Sequence, residues 1–175
     1  MRTTGKHCLD SGGLGVIAAY HTGLADALDI DLSNVEIHRV SFLHSGNDGL
    51  DSMGSGIELK QSVFKGAGDK CVSAGERSAL TIESVDFYNC NVGIAVKGES
   101  VVQLYDTAFY DAADTAIALF QKNTHYVSGG TVRGDSVYGI DQRHISVSEN
   151  SRLEFDNNAL RPSIRERLDL SNARH

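Results

Sequence analysis

The sequence contains no tryptophan, and so lacks the side chain that most often forms a flat platform for sugars; stacking would have to come from tyrosine or phenylalanine, with Tyr88, Tyr105, Tyr110, Tyr126 and Tyr138 as the candidates. A single proline in 175 residues, with 41% apolar content, argues against a disordered Pro-rich chain. No apolar run approaches the length of a membrane span, so no membrane partner is expected. Basic residues are outnumbered, 16 against 23, for a formal charge of −7. Binding to a nucleic-acid backbone needs the opposite balance, so nucleic acid is not an expected partner. The first twenty residues carry an apolar patch but not the layout of a signal peptide. Cys8, Cys71 and Cys90 form an odd set without C-x-x-C spacing, which predicts buried free thiols rather than a disulfide framework or a zinc site. The seven histidines form no H-x-H or H-E-x-x-H pattern, and there is neither a phosphate loop before a helix nor a G-x-S-x-G elbow.

Glycine is abundant, with 18 residues, and the glycines fall between short alternating apolar stretches. Aligning the segments that begin at Val35, Ile57, Leu80, Val102 and His125 produces three apolar columns. The first holds Ile37, Leu59, Ile82, Leu104 and Val127. The second holds Phe42, Phe64, Phe87, Phe109 and Val132, and the third Leu50, Val72, Ile94, Ile117 and Ile140. Every step is 22 or 23 residues. At this composition, fifteen apolar hits in fifteen positions has a chance of about 10⁻⁶. The pattern extends upstream, where Leu28 matches Leu50 and Tyr20 matches Phe42, and downstream into a short strand at 152–155.

Within each repeat the apolar residues alternate, as in "VEIHRVSF", "IELKQSVF" and "LTIESVDF". Period two means strands with one buried face, and no helix of useful length interrupts them. A repeat made only of strands satisfies its backbone by coiling, so that equivalent strands stack in parallel and inward side chains fill the tube. The expected fold is all-β: a single-stranded parallel β-helix of six to eight coils, with 22–23 residues per coil and one domain over 1–175. Its clear repeats span 25–155, and 160–175 forms a short C-terminal cap that starts as a polar helix after Pro162. The open N-terminal coil needs cover, either from "LGVIAAY" or from another copy, so a homo-oligomer through the β-helix ends is an expectation.

These repeats resemble right-handed parallel β-helix proteins of the pectate-lyase-like superfamily. The pieces "GDKCVSAGERS", "NVGIAVK" and "ALFQK" are similar to β-helix regions of bacterial surface or secreted proteins, some found beside spore-coat-kinase-like (CotH-like) domains. The resemblance implies secretion or surface display, and it brings no defined activity with it. The pectate lyase W-I-D-H segment is absent, as are the G-H-G and R-I-K signatures of polygalacturonase-like hydrolases.

The candidate chemistry lies in "GNDGLDSMGSG" and its neighbours. The repeat stacks Asp26 on Asp48 and Asp29 on Asp51. Stacked carboxylates repel unless one is protonated or a cation sits between them, which makes Asp26, Asp29, Asp48 and Asp51 candidate calcium ligands. Asp48, Asp51, Lys70 and Arg77 are the candidate catalytic residues of a lyase, epimerase or hydrolase acting on acidic polysaccharide. The competing reading makes the aspartates turn residues, solvated outside the tube, with Asp51 pairing with Lys70. On that reading the chain is a non-catalytic structural or binding module for carbohydrate or a protein partner, with no cofactor, or a self-assembling element. The column Asn47, Asp69 and Asn91 is expected to stack at one turn as a structural ladder.

Overall fold

The structure, a computed structural model, describes residues 6–18 (backbone only), 25–111, 115–156 and 158–163. The strands are β1 (Lys6–Ala18), β2 (Leu28–Asp31), β3 (Asn34–Leu43), β4 (Leu50–Met53), β5 (Gly56–Lys60), β6 (Val63–Lys65), β7 (Lys70–Gly75) and β8 (Ala79–Glu83), then β9 (Asp86–Tyr88), β10 (Val92–Lys97), β11 (Val101–Tyr110), β12 (Thr115–Phe120), β13 (Thr131–Tyr138), β14 (Ile145–Val147), β15 (Arg152–Phe155) and β16 (Leu160–Arg161). Every pairing among them is parallel.

The chain winds around three faces. The first face runs β15-β13-β11-β8-β5-β3, and the second face is built from β6, β9, β16 and the later halves of β3, β11 and β13. The third face stacks β14-β12-β10-β7-β4-β2. Each corner is marked by residues with positive φ. Arg39, Gln61, Ser84, Asp106 and Ser136 bend the first face into the second, and His44, Gly66, Asn89, Asp111 and Gly139 bend the second toward the third. Leu32, Gly54, Glu76, Arg77, Gly98 and Glu99 return the third to the first. Left-handed backbone turns the chain sharply within one residue, at a cost that the coil's hydrogen bonds offset. At Gly139 no other residue fits, because a Cβ there would run into the Phe109 carbonyl oxygen.

Inside the tube the columns read from the sequence are present for the first four repeats. Ile37, Leu59, Ile82 and Leu104 are register partners and are buried. Phe42, Phe64, Phe87 and Phe109 stack with centroids 4.3, 5.3 and 5.0 Å apart. Leu28, Leu50, Val72, Ile94 and Ile117 share the third-face register.

The fifth repeat departs from the expected alignment. Val102 pairs with Val132, a step of 30 residues, because the chain loops out after β12 before entering β13. Val127 therefore leaves the core and is 87% exposed, and Val132 lies on the first face rather than in the phenylalanine column. Leu104 instead meets Gly134, and the Phe155 ring fills the space of the missing side chain. Ile145, not Ile140, continues the third-face column, although Ile140 is also buried. Upstream, Ile17 rather than Tyr20 is the register partner of Phe42, after an irregularity between Asp10 and Gly15. "LGVIA" thus belongs to β1, which pairs along the N-terminal edge of β3. The helix expected after Pro162 falls in 164–175, outside the described residues.

The cysteine expectation is also corrected. Cys71 and Cys90 form a disulfide, with Cα atoms 5.7 Å apart. A coil of 22–23 residues brings positions about one coil apart within bonding distance, here 19 apart, so C-x-x-C logic does not apply to a solenoid. No helix among the described residues is long and apolar enough to cross a membrane.

Candidate functional site

The turn from the second face into the third holds the first pair of candidates. Asp26 Oδ1 accepts the Asp48 backbone N–H at 2.9 Å and the Asn47 amide at 2.7 Å. One coil on, Asp48 Oδ1 accepts the Lys70 backbone N–H at 3.0 Å and lies 3.5 Å from Lys70 Nζ. The Lys70 ammonium also holds Asp69. Asp26 and Asp48 are thus turn acceptors, each carrying the backbone of the coil above. They are not both solvated, since Asp48 is only 4% exposed. Its position has the parity of Leu50, which turns the carboxylate toward the inside corner. Burial raises its pKa and outweighs the opposing Lys70 charge and backbone hydrogen bond. For Lys70, burial works to lower the pKa, but the hydrogen bonds and charges of Asp69 and Asp48 prevail and raise it.

Asp29 and Asp51 are register partners on the outside of the third face. Asp51 does not pair with Lys70. The cation near it is Lys97, whose Nζ lies 4.0 Å from Asp51 Oδ1 and donates to Ser73 Oγ at 2.8 Å. Burial and the charges of Asp31, Asp51 and Asp26 raise the Asp29 pKa.

Arg77 sits at the opposite end of β7 from Lys70, about 20 Å away along an extended strand. Its Nε holds Glu99 at 2.6 Å, which raises its pKa, and its guanidinium lies 5.9 Å from the Tyr126 ring centre. Glu99 in turn accepts the Val127 backbone N–H at 2.7 Å, and Lys122 pairs with Glu76. These contacts tie the loop after β12 back onto the corner of earlier coils. The four catalytic candidates therefore do not converge. Among the described residues no group of three or more His, Cys, Asp or Glu side chains is arranged to hold a metal ion.

A calcium test follows from this geometry. Asp26 and Asp48 already direct oxygens at backbone donors, and Asp51 faces an ammonium. Millimolar calcium is expected to leave Tm unchanged, in the native chain and in Asp51→Asn alike. A calcium-dependent rise in Tm that Asp51→Asn removes would restore the ligand reading. The raised Asp29 pKa has a linked consequence. A carboxyl that holds its proton more tightly when folded contributes stability that is complete below the ordinary carboxylate range and lost as pH rises through the raised value. Asp29→Asn should therefore be at least as stable as the native chain at neutral pH, with the difference closing in acid.

The column Asn47, Asp69 and Asn91 stacks through backbone at its first step, where the Asp69 N–H donates to the Asn47 carbonyl at 3.1 Å. Its side chains do not form an amide ladder. Asn47 turns to Asp26, Asp69 to Lys70, and Asn91 to the Gly68 carbonyl at 2.7 Å. The side-chain ladder lies elsewhere, in serines that the sequence reading passed over. The N–H groups of Ser33, Ser55 and Ser78 donate to the hydroxyls of Ser55, Ser78 and Ser100 at 3.1, 3.2 and 3.1 Å. The signal was a serine at four successive third-to-first corners, 22 or 23 residues apart.

Of the tyrosines, Tyr105 is 42% exposed on the first face, where its hydroxyl donates to Gln103 at 2.9 Å. Tyr88 and Tyr110 stack on each other at 4.5 Å on the second face. Beside Tyr105, Arg133, Asp135, Glu154 and Asp156 line a shallow trough of about 420 Å³, and Arg133 Nε holds Glu154 at 2.6 Å.

The crystal structure of an alginate lyase from Paenibacillus sp. str. FPU-7 is similar, with a TM-score of 0.43 and 12% identity, over 85% of this chain and 78% of that one. No curated protein matches the sequence. The model of the family described as "Right handed beta helix region" matches residues 10–160, the span over which the coils stack. The chain belongs to the right-handed β-helix family.

Proposed function

We propose that the chain is a non-catalytic β-helix module that binds a carbohydrate chain along its first face. The observation that carries this reading is the commitment of the catalytic candidates to the scaffold: Asp48 holds the Lys70 backbone, Lys70 is divided between Asp48 and Asp69, and Arg77 is held by Glu99. A general acid or base needs a proton-accepting position open to substrate, and Asp48 is shut from solvent. The first face supports binding better than chemistry, since it is a continuous parallel sheet with an exposed ring at Tyr105 and polar side chains around it. Its outward charges lean acidic, with Glu58, Glu83, Asp135, Glu154 and Asp156 against Lys60, Arg133 and Arg152. A neutral polysaccharide fits that balance better than a uronate chain, which these carboxylates repel.

Affinity electrophoresis through gels holding a neutral β-glucan, alginate or polygalacturonate tests this. Retardation is expected in a neutral glycan, with affinity falling about tenfold in Tyr105→Ala as the stacking ring is lost. No unsaturated product should appear from either uronate. No retardation in the neutral β-glucan would remove the binding reading, and turnover that disappears in Asp51→Asn would replace it with a lyase.

A further inference from the structure

On the first face an open aromatic ring and unengaged charge meet at one place. Tyr105 projects outward from β11, with Leu104 beside it turned into the core. Its register partners are Glu83 on the coil before and Asp135 on the coil after, each about 4.8 Å away at the spacing of stacked strands. Asp156 comes next in the same outward column, because Phe155 before it pairs with Gly134. The Tyr105 hydroxyl donates to Gln103, two residues back on the same strand, so the ring leans along the strand. Beside the ring lies the trough of about 420 Å³, with Asp135 and Asp156 in its lining.

The charges around the trough are not equally engaged. Glu154 accepts Arg133 Nε at 2.6 Å and lies 3.9 Å from Arg152 Nη1, so both arginines face that one carboxylate. Asp135 accepts the Ser136 hydroxyl at 3.0 Å, and among the described residues neither Asp135 nor Asp156 is paired with a cation. Both are exposed, and they sit on neighbouring coils. Two carboxylates at that spacing repel, and a cation between them removes the repulsion. An aromatic face next to them adds to the attraction for an ammonium. A metal ion would use the carboxylates alone, whereas a sugar that carries an ammonium uses the carboxylates and the ring.

We infer that the trough is a subsite for a protonated amino sugar, whose ring face lies on Tyr105 and whose ammonium sits between Asp135 and Asp156. The inference rests on the carbohydrate-binding reading and narrows it to a glycan chain with free amino groups. On the other side of Tyr105, Glu83 lies 3.7 Å from Lys60, so the preference for a cation belongs to the Asp135 side of the ring. N-acetylation removes the charge from the sugar nitrogen, so an acetylated sugar keeps only the stacking on Tyr105.

Titration calorimetry of the full chain with the glucosamine hexamer, its fully N-acetylated counterpart and cellohexaose tests this. In the native chain the glucosamine hexamer should bind about tenfold more tightly than the other two, the effect of a charge-assisted contact. Asp135→Asn/Asp156→Asn should bring it down to their level and leave theirs unchanged. Asp29→Asn/Asp51→Asn, which removes the same charge from the third face, should keep the preference. Equal affinity for the three hexamers in the native chain, a comparison that needs no variant to fold, would overturn the inference and leave the carbohydrate-binding reading standing. The same loss of preference in both double variants would overturn it too, as an effect of net charge. Hexalysine that displaces the glucosamine hexamer at equal concentration would show a site for cations in general, which also overturns it. Binding of none of the hexamers would remove both readings together.

Discussion

Phe87→Ala is expected to lower the unfolding free energy by ~3–5 kcal/mol. Phe87 is the third of four stacked rings, held between Phe64 and Phe109 and shut from solvent. Removing it opens a cavity in the middle of a column rather than at its end. The walls cannot close on that cavity, because the backbones above and below are fixed by parallel pairing of β6, β9 and β11. At this chain length the loss corresponds to a Tm fall of roughly 6–20 °C. Phe87→Leu keeps most of the volume and should cost less. Denaturant unfolding of the three proteins measures both differences. A loss under about 1 kcal/mol for Phe87→Ala would mean that the column relaxes, and that the stack is not the stabilising spine described here.

The Cys71–Cys90 bond is the second large contributor, expected at ~3 kcal/mol. It closes a loop of sequence separation 19, joining neighbouring coils, and its cost in the unfolded chain grows with the entropy that the loop removes. Cys71→Ser/Cys90→Ser should unfold at correspondingly lower denaturant. Because Cys71 is buried, the folded protein should resist reductant and alkylation, and label at positions 71 and 90 should appear only after denaturation and reduction together. Labelling of both cysteines in denatured but unreduced protein would show that the bond does not form. Such bonds persist in oxidising surroundings, so protein made in a reducing cytoplasm is expected to gain stability on oxidation.

The winding was legible because inward positions recur. A strand that alternates and a coil that repeats leave the same residue type at the same offset, and four phenylalanines 22 or 23 residues apart mark one column without any structure. The fifth row failed for a related reason. An apolar residue at the expected offset is weak support where the chain carries an insertion, and "YVSGGTV" offered valines at both the looped-out and the paired positions. The serine corner ladder was as periodic as the phenylalanines. It went unread because a serine column predicts nothing about burial until the corner is known to point its hydroxyls inward.

The candidate site was less legible than the fold. The 22-residue spacing placed Asp48 over Asp26 and Asp51 over Asp29 on consecutive coils correctly, but it does not say which way a residue at a turn faces. Asp48 turned out to be an interior acceptor and Asp51 an exterior neighbour of Lys97. Lys70 and Arg77 looked close in sequence, but an extended strand sends its ends apart, so seven residues separate two corners of the tube.

By itself, then, the sequence determined the repeat, the all-strand coil and the inward columns, because these follow from side-chain alternation and a constant step. Only the tertiary structure decided the pairing of Cys71 with Cys90, the cation that Asp51 meets, and the exclusion of Asp86 from water. Each of these depends on contacts between neighbouring coils or on what lies over a face. Such contacts are set by the exact register and by the conformation of the corners, and a period of 22 or 23 leaves both open.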